Sequence, residues 1–304
     1  MRGGLLDRAE PSLDYDERCV EAVRRFQAIR GLDPTGHCDL ETWQALEEAE
    51  HHLGDRLLYS TQPLLRGDDV SELQLRLGSL GFDAGRTDGI FGAATERALG
   101  EFQRNAGLIS DLVCGPDTIS ALRNLATRGG PTSVAGLRER EELRQLRVDR
   151  VRVALVHLDP AAGPLCSTVA DDLTSAGSSV RVFTGVDWSS QAILVNEFEA
   201  DLAIAVSILP DELLELAYFA TDGFESIAGK SFATMVIAEM PSAHRWGRAS
   251  LIGRWTSLLR ETRSPAIAMS IGPEELIDHS ADLIGAALTR AVDRWVEGSQ
   301  RRLN

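Results

Sequence analysis

Two residues apart near the end of an apolar run, His157 and Asp159 are the first pair in this chain that could do chemistry. Positions i and i+2 of a strand point to one side, so this imidazole and carboxylate could share a metal ion with a third donor. A satisfied polar strand end is the plainer reading and the preferred one. The other reactive candidates stand alone. Cys166 could serve as a nucleophile with a distant histidine, but nothing beside it in the sequence activates a thiol. His244 lies in PSAHRWGR, which reads as a loop, and His279 faces out of a helix start; neither has a recognisable partner. Cys19, Cys38, Cys114 and Cys166 form no CxxC pair, so a structural zinc site has little support.

These residues belong to a region of alternating strands and helices that begins at Val151. VRVALVHL (151–158) suits a buried strand, Thr168–Ala176 a helix, and Val180–Thr184 and Leu202–Ser207 two further strands. Residues 227–238 and 248–261 read as helical, Ala266–Ile271 as a strand, and 274–297 as one long amphipathic helix. Strands alternating with helices predict an α/β domain over 151–298, with a mostly parallel sheet covered by helices. Ser207 and Ser270 then fall at the ends of two of these strands, and open α/β sheets bind ligands at carboxyl strand ends.

The N-terminal part has a different texture, because it repeats. Ala22, Phe26, Gln27, Gly31, Leu32, Cys38, Thr42, Ala45 and Leu46 recur as Ala98, Phe102, Gln103, Gly107, Leu108, Cys114, Thr118, Ala121 and Leu122, each 76 residues later. A frame held over that many positions without a gap means two copies of one module. The second copy, over 64–126, is complete. Val70, Leu73, Leu77 and Leu80 give one apolar helix face closed by Gly81. Asp88-Gly89 makes a tight turn; Thr95, Ala98, Leu99 and Phe102 mark a second helix ended by Gly107; Pro116 and Asp117 open a third. The first copy, over 1–58, keeps its second and third helices at about Arg18–Arg30 and Leu40–His52, and 53–65 connects the copies. Residues 127–150 read as a linker, Thr127–Gly136, and a solvated charged helix over 137–149. Cys38 and Cys114 share one place, just before the last helix, and are expected to be small buried apolar residues.

Charge narrows the partners. A net charge of −15 argues against nucleic acid and against anionic membranes or wall polymers as the main ligand. No apolar stretch reaches the roughly 18 residues of a spanning helix. The N-terminus as written is not a secretory signal, which predicts a cytoplasmic protein. An upstream start encoding a signal peptide would move it to the cell wall or periplasm.

The string GDDVSELQLRLGSLGFDAGRTDGIFGAATERALGEFQRNAGL resembles the peptidoglycan-binding-like repeat of cell-wall hydrolases. The resemblance rests on Val70, Leu73, Gln74, Leu77, Gly81, Phe82, Asp88, Gly89, Phe91, Gly92, Thr95, Phe102, Gln103, Gly107 and Leu108; Leu112 stands where the family usually has glycine. It implies a glycan-peptide ligand. Most of these residues are better read as turn and core positions, and ligand contact falls more naturally to Arg86, Asp88 and Thr95 beside the turn.

The α/β half resembles, more faintly, a zinc-dependent N-acetylmuramoyl-L-alanine amidase domain. Leu158-Asp159-Pro160-Ala161-Ala162-Gly163 follows the first strand where the family has Asp-Pro-Gly-His-Gly. Ala200–Ser207 matches its Ala-Asp-Leu strand ending in histidine, and LLRETRSPAIAMSIG (258–272) its Pro-Ala strand. In such an enzyme two histidines and a glutamate hold Zn²⁺, and a further glutamate is the general base. On this alignment Ala162 and Ser207 replace the histidines, Ser270 replaces the base, and no glutamate occurs between Pro160 and Gly185. Those vacated positions imply neither a metal nor another cofactor. Zinc is expected only if the alignment is misplaced and the domain is an active amidase.

Repeats followed by an amidase domain with an eroded zinc site are also the layout of actinobacterial cytoplasmic regulators of cell-wall synthesis. That resemblance implies a non-catalytic protein binding peptidoglycan fragments or precursors and acting through an enzyme of precursor synthesis. An active wall hydrolase and a structural wall anchor are the alternatives.

Overall fold

The computed structural model describes residues 15–126, 151–221, 224–240 and 249–300. These form two compact units, one over 15–126 and one that begins at Val151. The linker and charged helix expected over 127–149 lie outside the described residues, as does His244.

The first unit is built from helices. In α1 (Glu17–Arg30) the Asp16 carboxylate accepts the Cys19 N–H at 3.0 Å, and Gly31 closes the helix at φ 65. Asp39 caps α2 (Leu40–Glu48) in the same way. The second copy supplies α3 (Asp68–Ser79), α4 (Ala93–Asn105) and α5 (Pro116–Ala126). Val70, Leu73 and Leu77 turn one stripe of α3 inward onto Phe91, Leu99, Phe102 and Leu122, and this cluster is the core of the copy. Arg30 of α1 forks onto Asp68 of α3 and joins the two copies by a partly exposed ion pair.

The connector also seals the second copy. Leu58 and Cys114 exchange backbone hydrogen bonds of 2.8 and 3.4 Å, so the chain lies antiparallel beside the turn before α5. Cys114 is fully buried beneath it, whereas Cys38 is exposed. The shared expectation for these two cysteines therefore fails for Cys38, because no comparable strand covers it among the described residues.

The second unit is α/β. Its strands are β1 (Arg152–His157), β2 (Ser179–Thr184), β3 (Leu202–Ile208), β4 (Leu213–Thr221), the two-residue β5 (Phe224–Glu225), β6 (Ser250–Arg254) and β7 (Ala266–Gly272). The sheet runs β2-β1-β3-β7-β4-β5, with β6 also paired to β4. The four strands β2, β1, β3 and β7 are parallel, and β4 joins β7 antiparallel. The helices are α6 (Gly163–Ser175), α7 (Trp188–Glu197), α8 (Ile227–Glu239), α9 (Ser257–Glu261), α10 (Glu274–Asp278) and α11 (Ala281–Gln300). One face of the sheet presents Leu155, Ile204, Val206, Met269 and Leu216 to α6, α8 and α11, and this is the main core. The other face is lined by small residues, including Ala203, Ala205 and Ala268, under α7 and α9.

This is the expected class of fold, with three local corrections. Residues 250–254 form an edge strand rather than part of a helix, because pairing with β4 outweighs local preference. The helix expected over 274–297 is broken at His279-Ser280 into α10 and α11. Leu213–Thr221 is a strand that alternation alone did not reveal, since five of its residues are buried and both faces are apolar.

Candidate functional site

Three buried glutamines organise the first unit, and all three do the same thing. Gln74 Nε2 donates to Asp88 Oδ1 (2.8 Å), the Ile90 carbonyl (3.0 Å) and Thr95 Oγ1 (3.1 Å), while Gln74 Oε1 accepts the Gly89 N–H at 2.9 Å. Gln103 repeats this with Asp111, the Val113 carbonyl, Thr118 and the Leu112 N–H at 2.8, 3.0, 3.1 and 3.1 Å. Gln27 does so with Thr35, the His37 carbonyl, Thr42 and the Gly36 N–H at 3.1, 2.8, 2.9 and 2.8 Å. In each case one amide ties a helix to a turn and to the next helix. The turn's middle residue sits at positive φ: 78 at Gly36, 73 at Gly89 and 62 at Leu112. The Val113 N–H, and then Gln103, hold the Asp111 carboxyl below its ordinary range.

That arrangement decides where two of the residues expected to touch ligand go. Thr95 is 1% exposed, and its hydroxyl, bonded to Gln74, also donates to the Ala84 carbonyl, so burial removes it from any ligand in solution. Asp88 Oδ1 accepts from Gln74 and from the Ile90 N–H, which makes it a turn-forming group. Arg86 is half-buried beside them.

A cleft opens elsewhere in this unit, between the connector at Leu53–Leu57 and one face of α5. Its volume is about 580 Å³ and its rim carries Arg56 and Arg123. Arg56 is committed to structure: it forks onto Asp69, whose side chain is 1% exposed, and donates to the Arg66 carbonyl. Neither arginine stood out in the sequence. The available signal was that the repeat pairs Arg123 with Glu47, a charge reversal at an otherwise matched helix.

In the second unit the three positions singled out at strand ends do come to the same edge of the sheet. Ser207 and Ser270 are register partners at the carboxyl ends of β3 and β7. Ala162 ends a 3-10 turn (Pro160–Ala162) that follows β1 and packs against β3, but its methyl is buried in the main core with Leu155 and Val206, on the face the two serines turn away from. The donor set for Zn²⁺ is thiolate, imidazole or carboxylate, and these positions offer a methyl and two hydroxyls. They do not fit the metal. Among the described residues, no three His, Cys, Asp or Glu side chains are grouped to hold one.

The nearest alternatives are spent. His157 falls on the opposite sheet face, in line with Val153 and Leu155, and its Nδ1 lies 2.9 Å from the Asp159 carbonyl. The Asp159 carboxylate caps the 3-10 turn through the Ala161 N–H. Glu215, opposite Ser270 on β4, accepts two hydrogen bonds from Arg254 at 2.6 and 3.0 Å. Burial pushes the Cys166 thiol up to about 12, so it stays protonated near neutral pH and cannot act as a nucleophile.

Comparison with known proteins agrees with both halves. Residues 4–46 and 66–122 match a family model described as a putative peptidoglycan binding domain. The chain is also 30% identical, over 311 residues, to the N-acetylmuramoyl-L-alanine amidase CwlM of Mycobacterium tuberculosis; the match spans 88% of this chain and 76% of that protein. The chain belongs to the CwlM family.

Two solved amidases align with less than half of this CwlM-family chain. They are AmiC2 of Nostoc punctiforme (14% identity, TM-score 0.39) and the CwlD amidase of Clostridioides difficile in complex with the GerS lipoprotein (8%, TM-score 0.37). Each alignment covers 48% of this chain, and 97% and 98% of those proteins. TM-scores of this size carry no argument. The CwlM-family assignment rests on the sequence match, which takes in the repeats and the α/β unit together. No helix among the described residues is long and apolar enough to cross a membrane.

Proposed function

We propose that this protein binds peptidoglycan fragments through its first unit and that its amidase-like unit neither holds zinc nor cleaves. The observation that carries this reading is the set of side chains at the strand ends. Ser207 and Ser270 stand side by side on one face of the sheet, Ala162 is buried in the core with Leu155 and Val206, and none of the three is an imidazole or a carboxylate. A hydroxyl is not basic enough near neutral pH to accept a proton from water, and a positioned general base contributes about 10²–10⁴ in rate. Without a metal to lower the pKa of water, the amide bond has no nucleophile. A binding protein of this kind acts through another protein, and an enzyme of cell-wall precursor synthesis in the cytoplasm is the partner proposed.

The test is metal content together with turnover. Purified protein, incubated with Zn²⁺ and a muropeptide, should retain far less than one zinc per chain and release no free peptide stem. One zinc per chain with cleavage of the N-acetylmuramoyl-L-alanine bond would overturn the reading. Retention on insoluble peptidoglycan, with no soluble enzyme captured, would keep the binding role and remove the regulatory one.

A further inference from the structure

The cleft between the connector and α5 sets one guanidinium, that of Arg123, over an apolar floor; the Asp55 carboxylate also lines it and accepts the His52 N–H at 3.0 Å. Leu53 and Ile119 are buried at its base, and Leu57, half exposed, forms one flank. Ser120 and Arg123 line the helix side, one turn of α5 apart. Arg123 has a single protein partner among the described residues, the Leu53 carbonyl at 3.3 Å, which it reaches across the cleft through Nη2. Its remaining N–H donors are open to solvent or ligand. Arg56, by contrast, is neutralised by Asp69 and serves as wall.

Among the described residues no aromatic side chain lines the cleft, so none offers a ring on which a sugar could stack. Its volume is in the range of small-ligand sites. A guanidinium with a free fork selects a planar carboxylate, and the leucines and isoleucine suit short aliphatic side chains such as alanine's methyl.

We propose that this cleft binds the peptide stem of a peptidoglycan fragment, with Arg123 gripping a stem carboxylate while Leu57 and Ile119 pack against alanine. The assignment rests on the peptidoglycan-binding reading above and gives it a site. It also separates the two copies. The counterpart of Arg123 in the first copy is Glu47, which repels a carboxylate, so the second copy and the connector carry the site.

The experiment is calorimetric titration of the whole protein with three probes. They are N-acetylmuramoyl-L-alanyl-D-glutamate, the same compound with its carboxylates amidated, and a peptide-free N-acetylglucosamine–N-acetylmuramic acid oligomer. The acid form should bind, and Arg123→Ala should weaken it about tenfold or more, the effect of losing a charge-assisted pair. Arg123→Lys, which keeps charge but loses the fork, should fall between. Arg25→Ala, an exposed arginine of α1, should change nothing, and Ser120→Trp, which fills the cleft, should abolish binding in a protein that still melts normally. Unchanged affinity in both Arg123→Ala and Ser120→Trp would overturn this site while leaving the binding function in place. Preference for the peptide-free oligomer would do the same. Failure of all three probes would overturn the site and the peptidoglycan reading together.

Discussion

The two units of this chain use polar side chains in opposite ways. In the first, Gln27, Gln74 and Gln103 are each at most 3% exposed and spend both ends of the amide inside the fold. In the second, Ser207 and Ser270 stand half-buried at the sheet edge, and their hydroxyls have no protein hydrogen bond among the described residues. Buried groups that bond each other hold a turn; groups left open at strand ends hold nothing in the protein. Motif residues of the repeat are thus poor guides to where ligand sits, whereas the strand ends of the α/β unit carry hydroxyls that the fold does not use.

If that contrast is right, the largest loss of stability should come from the glutamines. Gln74→Leu would strand the Gly89 N–H and take one hydrogen bond each from the Ile90 carbonyl, Asp88 and Thr95. Each unsatisfied group costs about 1–3 kcal/mol, so urea denaturation should show a loss of about 3 kcal/mol or more. Gln103→Leu should cost a similar amount at Leu112 and Asp111. A loss under 1 kcal/mol in both variants would mean that water replaces the amide, and the contrast between the units would disappear.

A sharper version compares the two copies at one site. In the first copy the turn residue is Gly36 and the facing helix carries Arg24; in the second the turn residue is Leu112 and the helix carries Gly100. A Cβ on Gly36 would lie 2.7 Å from Val20 Cγ1 and 3.0 Å from Arg24 Nε, and a Cβ on Gly100 would lie 2.6 Å from Leu112 Cδ2. The large side chain comes from the helix in one copy and from the turn in the other. Gly36→Leu therefore meets both a clash and positive φ and should cost about 2–3 kcal/mol. Leu112→Gly relieves the positive φ but uncovers Gly100 and loosens the unfolded chain, so these effects nearly cancel, leaving under about 1 kcal/mol. Thermal melts of the two variants should therefore differ widely, and equal losses would refute the exchange.

Much of this was legible beforehand, and what was hidden has physical causes. The 76-residue frame, the helix faces and the strand ends at Ser207 and Ser270 were readable because periodicity and repetition are properties of sequence. Leu112 could be flagged as a departure from the family pattern, but its explanation lay at Gly100, a contact between helix and turn. The likeness of Gln74 to Gln27 and Gln103 is hidden in the sequence because its turn lies 14 residues on, whereas theirs lie 8 on. The constant feature was the seven-residue step from turn to threonine, Thr35 to Thr42, Asp88 to Thr95 and Asp111 to Thr118. The cleft was invisible because it joins a connector without periodicity to the polar face of a helix. Residues 250–254 were misread because edge pairing is a tertiary fact.

The smallest effect should belong to the strand ends. Ser207→Ala and Ser270→Ala remove hydroxyls that make no hydrogen bond to the protein and sit at a partly open edge. Each should change stability by no more than about 0.5 kcal/mol, as at sites away from packing and networks. The converse change is less benign. Ser270→Glu places a carboxylate directly across from Glu215, which already holds Arg254. Like charges opposite one another destabilise a sheet pair by about 0.2–1 kcal/mol, so the glutamate should weaken the fold slightly without bringing turnover. If Ser270→Glu instead stabilises the unit on adding Zn²⁺, the edge can hold a metal, and the contrast between the two units must be redrawn.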